Sequence, residues 1–312
     1  MVISYIILAH KEPRQLWRLV GRLNALHTFF YIHVDRNVDI TPFKEAIKGY
    51  SNVLLLADKK RVASIWGSPG LVKATLNAME EVIKDNRQGY TILLSGQCYP
   101  IKSNACIYSF LNDNYGYNFI EGFRLPDERW PSSLLRMHHY AFFLSSKKED
   151  FITAPSFFDQ SFKSLNRSVI KKYLKIFFHF PLKSMVLLKK RRFPEKLKPF
   201  GGMQWWALPL ETIKFINQFV AENPGYLKYH SFTLFSDEIF FQSIVHNYFD
   251  KIKHPTMFSS WPGDDANSSP QTITKDDLGI LKERNELFAR KFDYEIDSTV
   301  LDLIDNMLLH KN

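Results

Sequence analysis

Cysteine is nearly absent: Cys98 and Cys106 are the only two in 312 residues. Two thiols cannot build a disulfide framework, and nothing pairs with them at metal-ligand spacing, so a disulfide scaffold and a zinc module are both excluded. Four familiar enzyme signatures are missing as well. No Gly-x-Gly-x-x-Gly, Gly-x-x-x-x-Gly-Lys-Ser/Thr, Gly-x-Ser-x-Gly or His-Glu-x-x-His occurs, which argues against dinucleotide oxidoreductases, P-loop nucleoside triphosphatases, elbow-type serine hydrolases and zincins. The chain also has no Asp-x-Asp, the pair with which sheet enzymes commonly hold a divalent cation against a diphosphate. A diphosphate leaving group would then have to be neutralised by fixed side-chain cations. The apolar run before His10 is about eight residues, short of the ~20 that a membrane span needs, and it lacks a basic leader or a small-residue cleavage site. It is expected to be a strand, and the low cysteine usage gives a reducing, cytoplasmic setting as the expectation.

Aromatic residues, by contrast, are plentiful: 27 Phe, 14 Tyr and 6 Trp suit a thick core or a site that stacks flat rings. The net charge of +9 is local. Between Ser161 and Phe200, twelve Lys or Arg face one acid, Glu195, a balance of +11 that leaves −2 for the remainder. A basic coat of the kind that binds nucleic acid is therefore not what the chain carries. Inside that window, cations alternate with apolar clusters in IKKYLKIFFHFPLKSMVLLKKRR. The pattern fits an amphipathic segment on an anionic membrane, and equally a solvated face over a buried stripe.

Ile3–Leu8, Phe29–Val34, Val53–Leu56 and Tyr90–Leu94 read as strands. Helical spacing follows the first, through Leu16, Leu19, Val20, Leu23 and Leu26, and precedes the fourth, over 70–84. Strand and helix in alternation predict a mainly parallel sheet covered on both faces, with ligands at the carboxyl ends of its strands. His10, Asp35, Trp66 and Ser95 lie at those ends. Farther on, MHHYAFFL and MQWWAL read as strands, and FSDEIFFQSIVHNY as a helix with Ser236, Asp237 and Glu238 in its first turn. No repeat or long linker divides the chain, so one domain over 1–312 with a basic insertion at about 155–198 is expected.

Several residues carry two readings at this stage. Arg290 and Lys291, side by side in LFARKFDYEID, suit a diphosphate or a solvated helix end. Asp237 and Glu238 suit catalysis or capping. Asp35 suits ribose or base recognition after a buried strand. Trp205 and Trp206 suit the core, although strand alternation turns one of them toward a pocket.

Together these segments resemble glycosyltransferase family 14, the core 2/I-branching β-1,6-N-acetylglucosaminyltransferases and peptide O-xylosyltransferases, in the short form of its bacterial members. The matching stretches are YIILAHKEPRQLWRLVGRL, FYIHVDRN, ASIWGSPGLVKATLNAM, YTILLSGQCYPIKS, NFIE, FGGMQWWALPLETI, SDEIFFQSIVHN and LFARKFD, in family order over residues 5–293. The resemblance implies an α/β fold of GT-A type, a Rossmann-like mixed sheet flanked by helices. It implies an inverting, metal-independent transfer of a sugar, GlcNAc or xylose, from a UDP-sugar to a saccharide or lipid-linked acceptor in bacterial surface polysaccharide synthesis, with no cofactor. By the same resemblance Glu238 is the general base and Arg290 and Lys291 hold the diphosphate. Asp35 contacts uridine, Ala9, His10, Trp66 and Gly67 cradle the nucleotide, and Glu121, Arg129, Trp205 and Trp206 face the acceptor. Cys98 stands where many members have an acid, and Ser268 is nearest to a further arginine of the branching enzymes. These departures keep a non-catalytic nucleotide-sugar or glycan binder as an alternative. The basic window keeps another, a membrane-surface protein on the inner face of the cytoplasmic membrane.

Overall fold

The computed structural model describes residues 1–159, 167–261 and 270–307. Its strands are β1 (Val2–Ala9), β2 (Thr28–Val34), β3 (Val53–Leu55), β4 (Gly89–Ser95), β5 (Cys98–Pro100), β6 (Asn118–Ile120), β7 (Phe123–Arg124), β8 (His139–Phe143), β9 (Phe151–Pro155), β10 (Phe200–Gly201), β11 (Trp206–Pro209), β12 (Ile252–Lys253), β13 (Met257–Ser259) and β14 (Phe288–Arg290). Its helices are α1 (Pro13–Leu23), α2 (Thr41–Ile47), α3 (Gly70–Asp85), α4 (Asn104–Asp113), α5 (Ser133–His138), α6 (Arg167–His179), α7 (Leu210–Glu222), α8 (Pro224–His230), α9 (Phe240–Tyr248), α10 (Leu278–Glu283) and α11 (Thr299–Met307).

The first four apolar runs become β1 to β4, each within a residue of the expected bounds. Seven strands form the main sheet in the order β12, β6, β11, β4, β1, β2, β3. β4, β1, β2 and β3 run parallel, and β11 enters antiparallel to β4 and β6. The α/β class and the mixed sheet flanked by helices are as expected. β1 and β4 are buried almost throughout, as parallel strands covered on both faces must be. α1 supplies Leu16, Leu19, Val20 and Leu23, and α3 Val72, Thr75, Leu76, Met79 and Val82, at three- and four-residue spacing.

The chain lays β2 and β3 on one side of β1 and then returns to place β4 on the other. Between the carboxyl ends of β1 and β4 that reversal opens a crevice, where Leu8 stands opposite Ser95. A smaller sheet reaches it. β5 follows β4 after only Gly96 and Gln97, and pairs with β14, which pairs in turn with β13, so that Arg290 stands opposite Cys98 on one side and Ser259 on the other. Two buried glutamines fasten this sheet down. Gln15 Nε2 donates to Gly96 O at 3.0 Å and Phe292 O at 3.2 Å, Tyr294 N donates back to Gln15 Oε1 at 2.8 Å, and Phe292 N donates to Gln97 O at 2.9 Å.

Three local expectations are corrected. MHHYAFFL is strand only from His139, because Ser133, Arg136 and Met137 turn inward at helical spacing, a period hidden by two polar residues. The SDE sequence forms a separate 3-10 turn (Ser236–Glu238), and α9 starts at Phe240 with no side-chain cap. The strand in MQWWAL begins only at Trp206.

The basic segment gives α6 and a 3-10 helix (Lys183–Leu188), which pack on the β8–β9 hairpin. Tyr140, Phe142, Ala154, Tyr173, Ile176 and Leu187 form an apolar cluster there, separate from the main core. Arg191 is not part of the solvated charge. It is buried, with Nη1 donating to His139 O and Phe232 O and Nη2 to Thr233 Oγ1. Lys163 and Ser268 lie outside the described residues.

The loop before α3 passes beneath the helix at Gly70, where a Cβ would lie 1.9 Å from Ala63 O. Gly70→Ala must displace that backbone, so destabilisation of about 2–3 kcal/mol is expected in denaturant titration. Gly49→Ala, whose Cβ meets nothing within 4 Å, is the control; equal midpoints for the two variants would refute the steric account.

Candidate active site

A cavity of about 860 Å³ opens over the carboxyl ends of the parallel strands. Ala9 and His10 come to it from the end of β1, Asp35 from the end of β2, and Ser95 and Gln97 from the end of β4. Asp35 is 5% exposed and acts first on its own loops. Its Oδ1 accepts from Asn37 N at 2.7 Å, and its Oδ2 from Ser64 N at 2.6 Å and Ser64 Oγ at 2.9 Å. Arg61 donates to Val34 O, Asp35 O and Val38 O, and Val62 N donates to His33 Nε2. These bonds hang the loop that presents Trp66 and Gly67 to the cavity. Gly67, at φ +73°, accepts at its carbonyl from Phe235 N at 2.8 Å, and the Trp66 ring meets the Phe235 ring edge-on at 4.6 Å.

β14 delivers Arg290 and Lys291. The Arg290 guanidinium lies 4.5 Å from the Trp205 ring centroid, and its buried Nε has no hydrogen-bond partner among the described residues. Burial lowers the proton affinity of both cations, and for Lys291 the neighbouring Lys11 and Arg290 lower it further. Lys11 is occupied by Asp293 at 2.5 Å. Lys148 joins the rim, its Nζ 4.9 Å from the Trp66 ring centroid. Cations crowded in a low-dielectric pocket repel one another and favour an anion; at an effective dielectric near 20, each contributes roughly 4 kcal/mol to a phosphate oxygen ~4 Å away.

The acids lie in the same cavity. Glu238 Oε2 accepts from Arg136 Nη1 at 2.7 Å, and the Arg136 guanidinium is sandwiched 4.4 Å from the Trp130 ring and 4.5 Å from the Phe235 ring. Burial raises the Glu238 pKa and Arg136 opposes the rise. Asp237, with Oδ1 unpartnered among the described residues, is pushed up to about 8, first by burial and then by Glu238. Burial and the adjacent Glu238 thus favour the proton on Asp237, while Arg136 favours the charged form of Glu238. Neither acid caps α9. Among the described residues no three His, Cys, Asp or Glu gather to hold a metal ion.

The sequence model of the Core-2/I-branching enzyme family matches residues 3–282. The chain belongs to this family. Similar proteins include xylosyltransferase oxt of Drosophila pseudoobscura pseudoobscura, 25% identical over 95% of this chain and 32% of that protein. Xylosyltransferase 2 of Homo sapiens is 23% identical over 97% of this chain and 33% of that protein. The chain thus spans about one third of the length of these relatives. Among solved structures, 4-diphosphocytidyl-2C-methyl-D-erythritol synthase from Anaerococcus prevotii aligns at a TM-score of 0.39 and 11% identity, over 90% of this chain and 94% of that one, too slight a likeness to build on.

Of the residues expected at the site of this branching-enzyme relative, Ala9, His10, Asp35, Trp66, Gly67, Glu121, Arg129, Trp205, Glu238, Arg290 and Lys291 all line the one cavity. Glu121 Oε2 accepts from Met203 N at 2.7 Å. Arg129 is exposed at the rim, chelated by Asp127 and laid 4.0 Å from the Phe123 ring. Trp206 does not join them. It is 1% exposed and packs on Phe241, 5.8 Å between centroids, because its place in β11 turns it into the core. Trp205 faces the cavity as the shelf under Arg290.

The sequence alone does not single out Arg136, Trp130, Lys148, Gln97 and Phe235 as lining residues, and it leaves Asp237 between catalysis and capping. Arg136 immediately precedes the MHHYAFFL run, where no motif marks it.

The raised Asp237 pKa has a consequence for stability. A folded pKa of about 8 against 3.8 unfolded contributes stability that is complete below about pH 4 and is lost as the pH rises through 8. Wild type should therefore lose about 2–5 kcal/mol relative to Asp237→Asn between pH 4 and 8, at ~1.4 kcal/mol per tenfold change in proton affinity. Urea titrations of both proteins across that range test it, and parallel pH profiles would refute it.

Proposed function

We propose that this cavity transfers a sugar from a uridine diphosphate donor to a hydroxyl of a saccharide acceptor. The observation that carries the reading is that one cavity holds two stacked or crowded cations, Arg290 and Lys291, and two adjacent carboxyl groups, Asp237 and Glu238, the second paired with Arg136. Glu238 takes the proton of the acceptor hydroxyl as its oxygen attacks the anomeric carbon. The bond from that carbon to the diphosphate breaks, and Arg290 and Lys291 receive the departing negative charge. A single displacement inverts the anomeric centre. No cofactor enters, and the fixed cations take the part a divalent metal plays elsewhere.

Asp35 and the Trp66–Gly67 loop present the nucleotide side, with Ala9 and His10 at its base; Glu121, Arg129 and Trp205 form the acceptor side. Arg136 is a positioning residue: its charge holds Glu238 ionised and its stacked guanidinium fixes the carboxylate. The donor sugars proposed are GlcNAc and xylose, and the acceptor class proposed is a surface polysaccharide assembled from the cytoplasmic side, in a bacterial cell.

Glu238→Gln should lower kcat by 10²–10⁴-fold while calorimetric binding of uridine diphosphate, measured without divalent ions, stays within about threefold. Undiminished turnover would remove the base. Arg290→Gln should abolish most of that binding, and activity lost in EDTA and restored by Mn²⁺ would overturn the cation assignment. For Arg136→Gln, loss of the cation raises the Glu238 pKa further, so the acidic limb of kcat/KM moves to higher pH; an unmoved limb would make Arg136 merely structural.

A further inference from the structure

α6 carries apolar side chains on the face away from its own cluster. Tyr173 and Ile176 are buried and Phe177 stacks on Phe157 at the edge of the cluster, but Ile170, Leu174 and Phe178, at four-residue steps, are exposed, Phe178 to 82%. The chain continues the patch beyond the helix with Leu182, 83% exposed, Met185 and Leu188. A soluble surface rarely gathers this many large apolar groups without a partner. Around them stand Lys171, Lys175, Lys183, Lys189, Lys190 and Arg192, all exposed and none in an ion pair among the described residues.

We infer that α6 and the Lys183–Leu188 turn form a face that lies on an anionic lipid surface, inserting the apolar tips and setting the cations against the headgroups. Protein interfaces are depleted in lysine, and this patch is rich in it. A nucleic acid would satisfy the cations but leaves Leu174, Leu182 and Leu188 with nothing to bury against. A lipid interface satisfies both at once. At 13 residues α6 is ~20 Å long, and no described helix is long and apolar enough to cross a membrane, so the face lies on the bilayer. The β8–β9 hairpin beneath α6 also carries Lys148 to the cavity rim, which couples the docked face to the site through one hairpin. Docking itself does not depend on sugar transfer.

The test is flotation of the full chain with phosphatidylcholine vesicles, with and without phosphatidylglycerol. Wild type should float with the anionic vesicles and be released by salt. Phe178→Glu/Leu182→Glu should abolish flotation on either. Lys189→Gln/Lys190→Gln/Arg192→Gln should lose the anionic preference by on the order of 100-fold in partition coefficient; Arg191 is left intact because it is structural. Circular dichroism melts check that both variants fold, and turnover on a soluble acceptor, read separately, should match wild type. Wild type that fails to float, variants that float as wild type does, a dimer abolished by the Phe178/Leu182 change, or tighter salt-sensitive binding to RNA than to vesicles would each overturn the inference.

Discussion

Arg290 is the charge around which the rest of the site is arranged. A guanidinium on an indole face, with a buried donor left unpaired and a second cation next to it, is expensive to hold in a protein interior unless an anion arrives. Glu238 and Asp237 relieve it only in part. Arg136 already answers Glu238 at 2.7 Å, and burial favours the protonated form of Asp237. Lys11 is committed to Asp293. The cavity thus sets Arg290 and Lys291 on one group of residues and the Arg136-paired carboxylate on another, a separation that the proposed displacement with an anionic leaving group requires.

Keeping such charges in place falls to parts far apart in the chain. Gln15, at 0% exposure, bonds simultaneously to the loop after β4 and to the segment after β14. Through it α1, the central strand β4 and the late Arg-Lys segment become one rigid unit. On the other side Asp35 anchors Ser64, and Gly70 lets the same loop pass under α3. Phe235 closes the circuit. Its backbone bonds to Gly67 and its ring touches Trp66 and Arg136, so the Trp66–Gly67 loop and the Glu238 turn are tied together. Pre-organisation of this kind is worth more to catalysis than any single contact, since nothing has to reorganise when charge develops.

The parallel half of the sheet was legible because β1 to β4 are apolar runs, and in β1, β2 and β4 burial on both faces leaves no other reading. The cavity residues at strand ends followed from that topology. Arg290 and Glu238 were ambiguous as residues and became specific only through the order of motifs along the chain. What stayed hidden was non-local or masked by polarity. Arg136 is a buried arginine in a six-residue helix whose inward face is Ser133, Arg136 and Met137, so hydrophobic periodicity had almost nothing to detect. Arg191, similarly, was counted with a solvated run although four oxygen acceptors enclose it. Trp205 and Trp206 show the limit from the other side. Alternation foretold that they would part, but only the register of β11 decides which one enters the core.

Cys98 brings the electrostatics and the sheet geometry together. Antiparallel pairing sets it opposite Arg290, and its thiol is fully buried, with burial raising its pKa while Arg290 and Ser95 act the other way. An aspartate at this register would be ionised beside the guanidinium and would cancel part of its charge over a few ångströms. The thiol, held toward its neutral form by burial, opposes that charge less than a carboxylate would. Ser259 on the opposite flank, its Oγ unpartnered among the described residues, is likewise uncharged. Neither neighbour of Arg290 in the small sheet is a carboxylate, so its charge is left to the cavity that it lines.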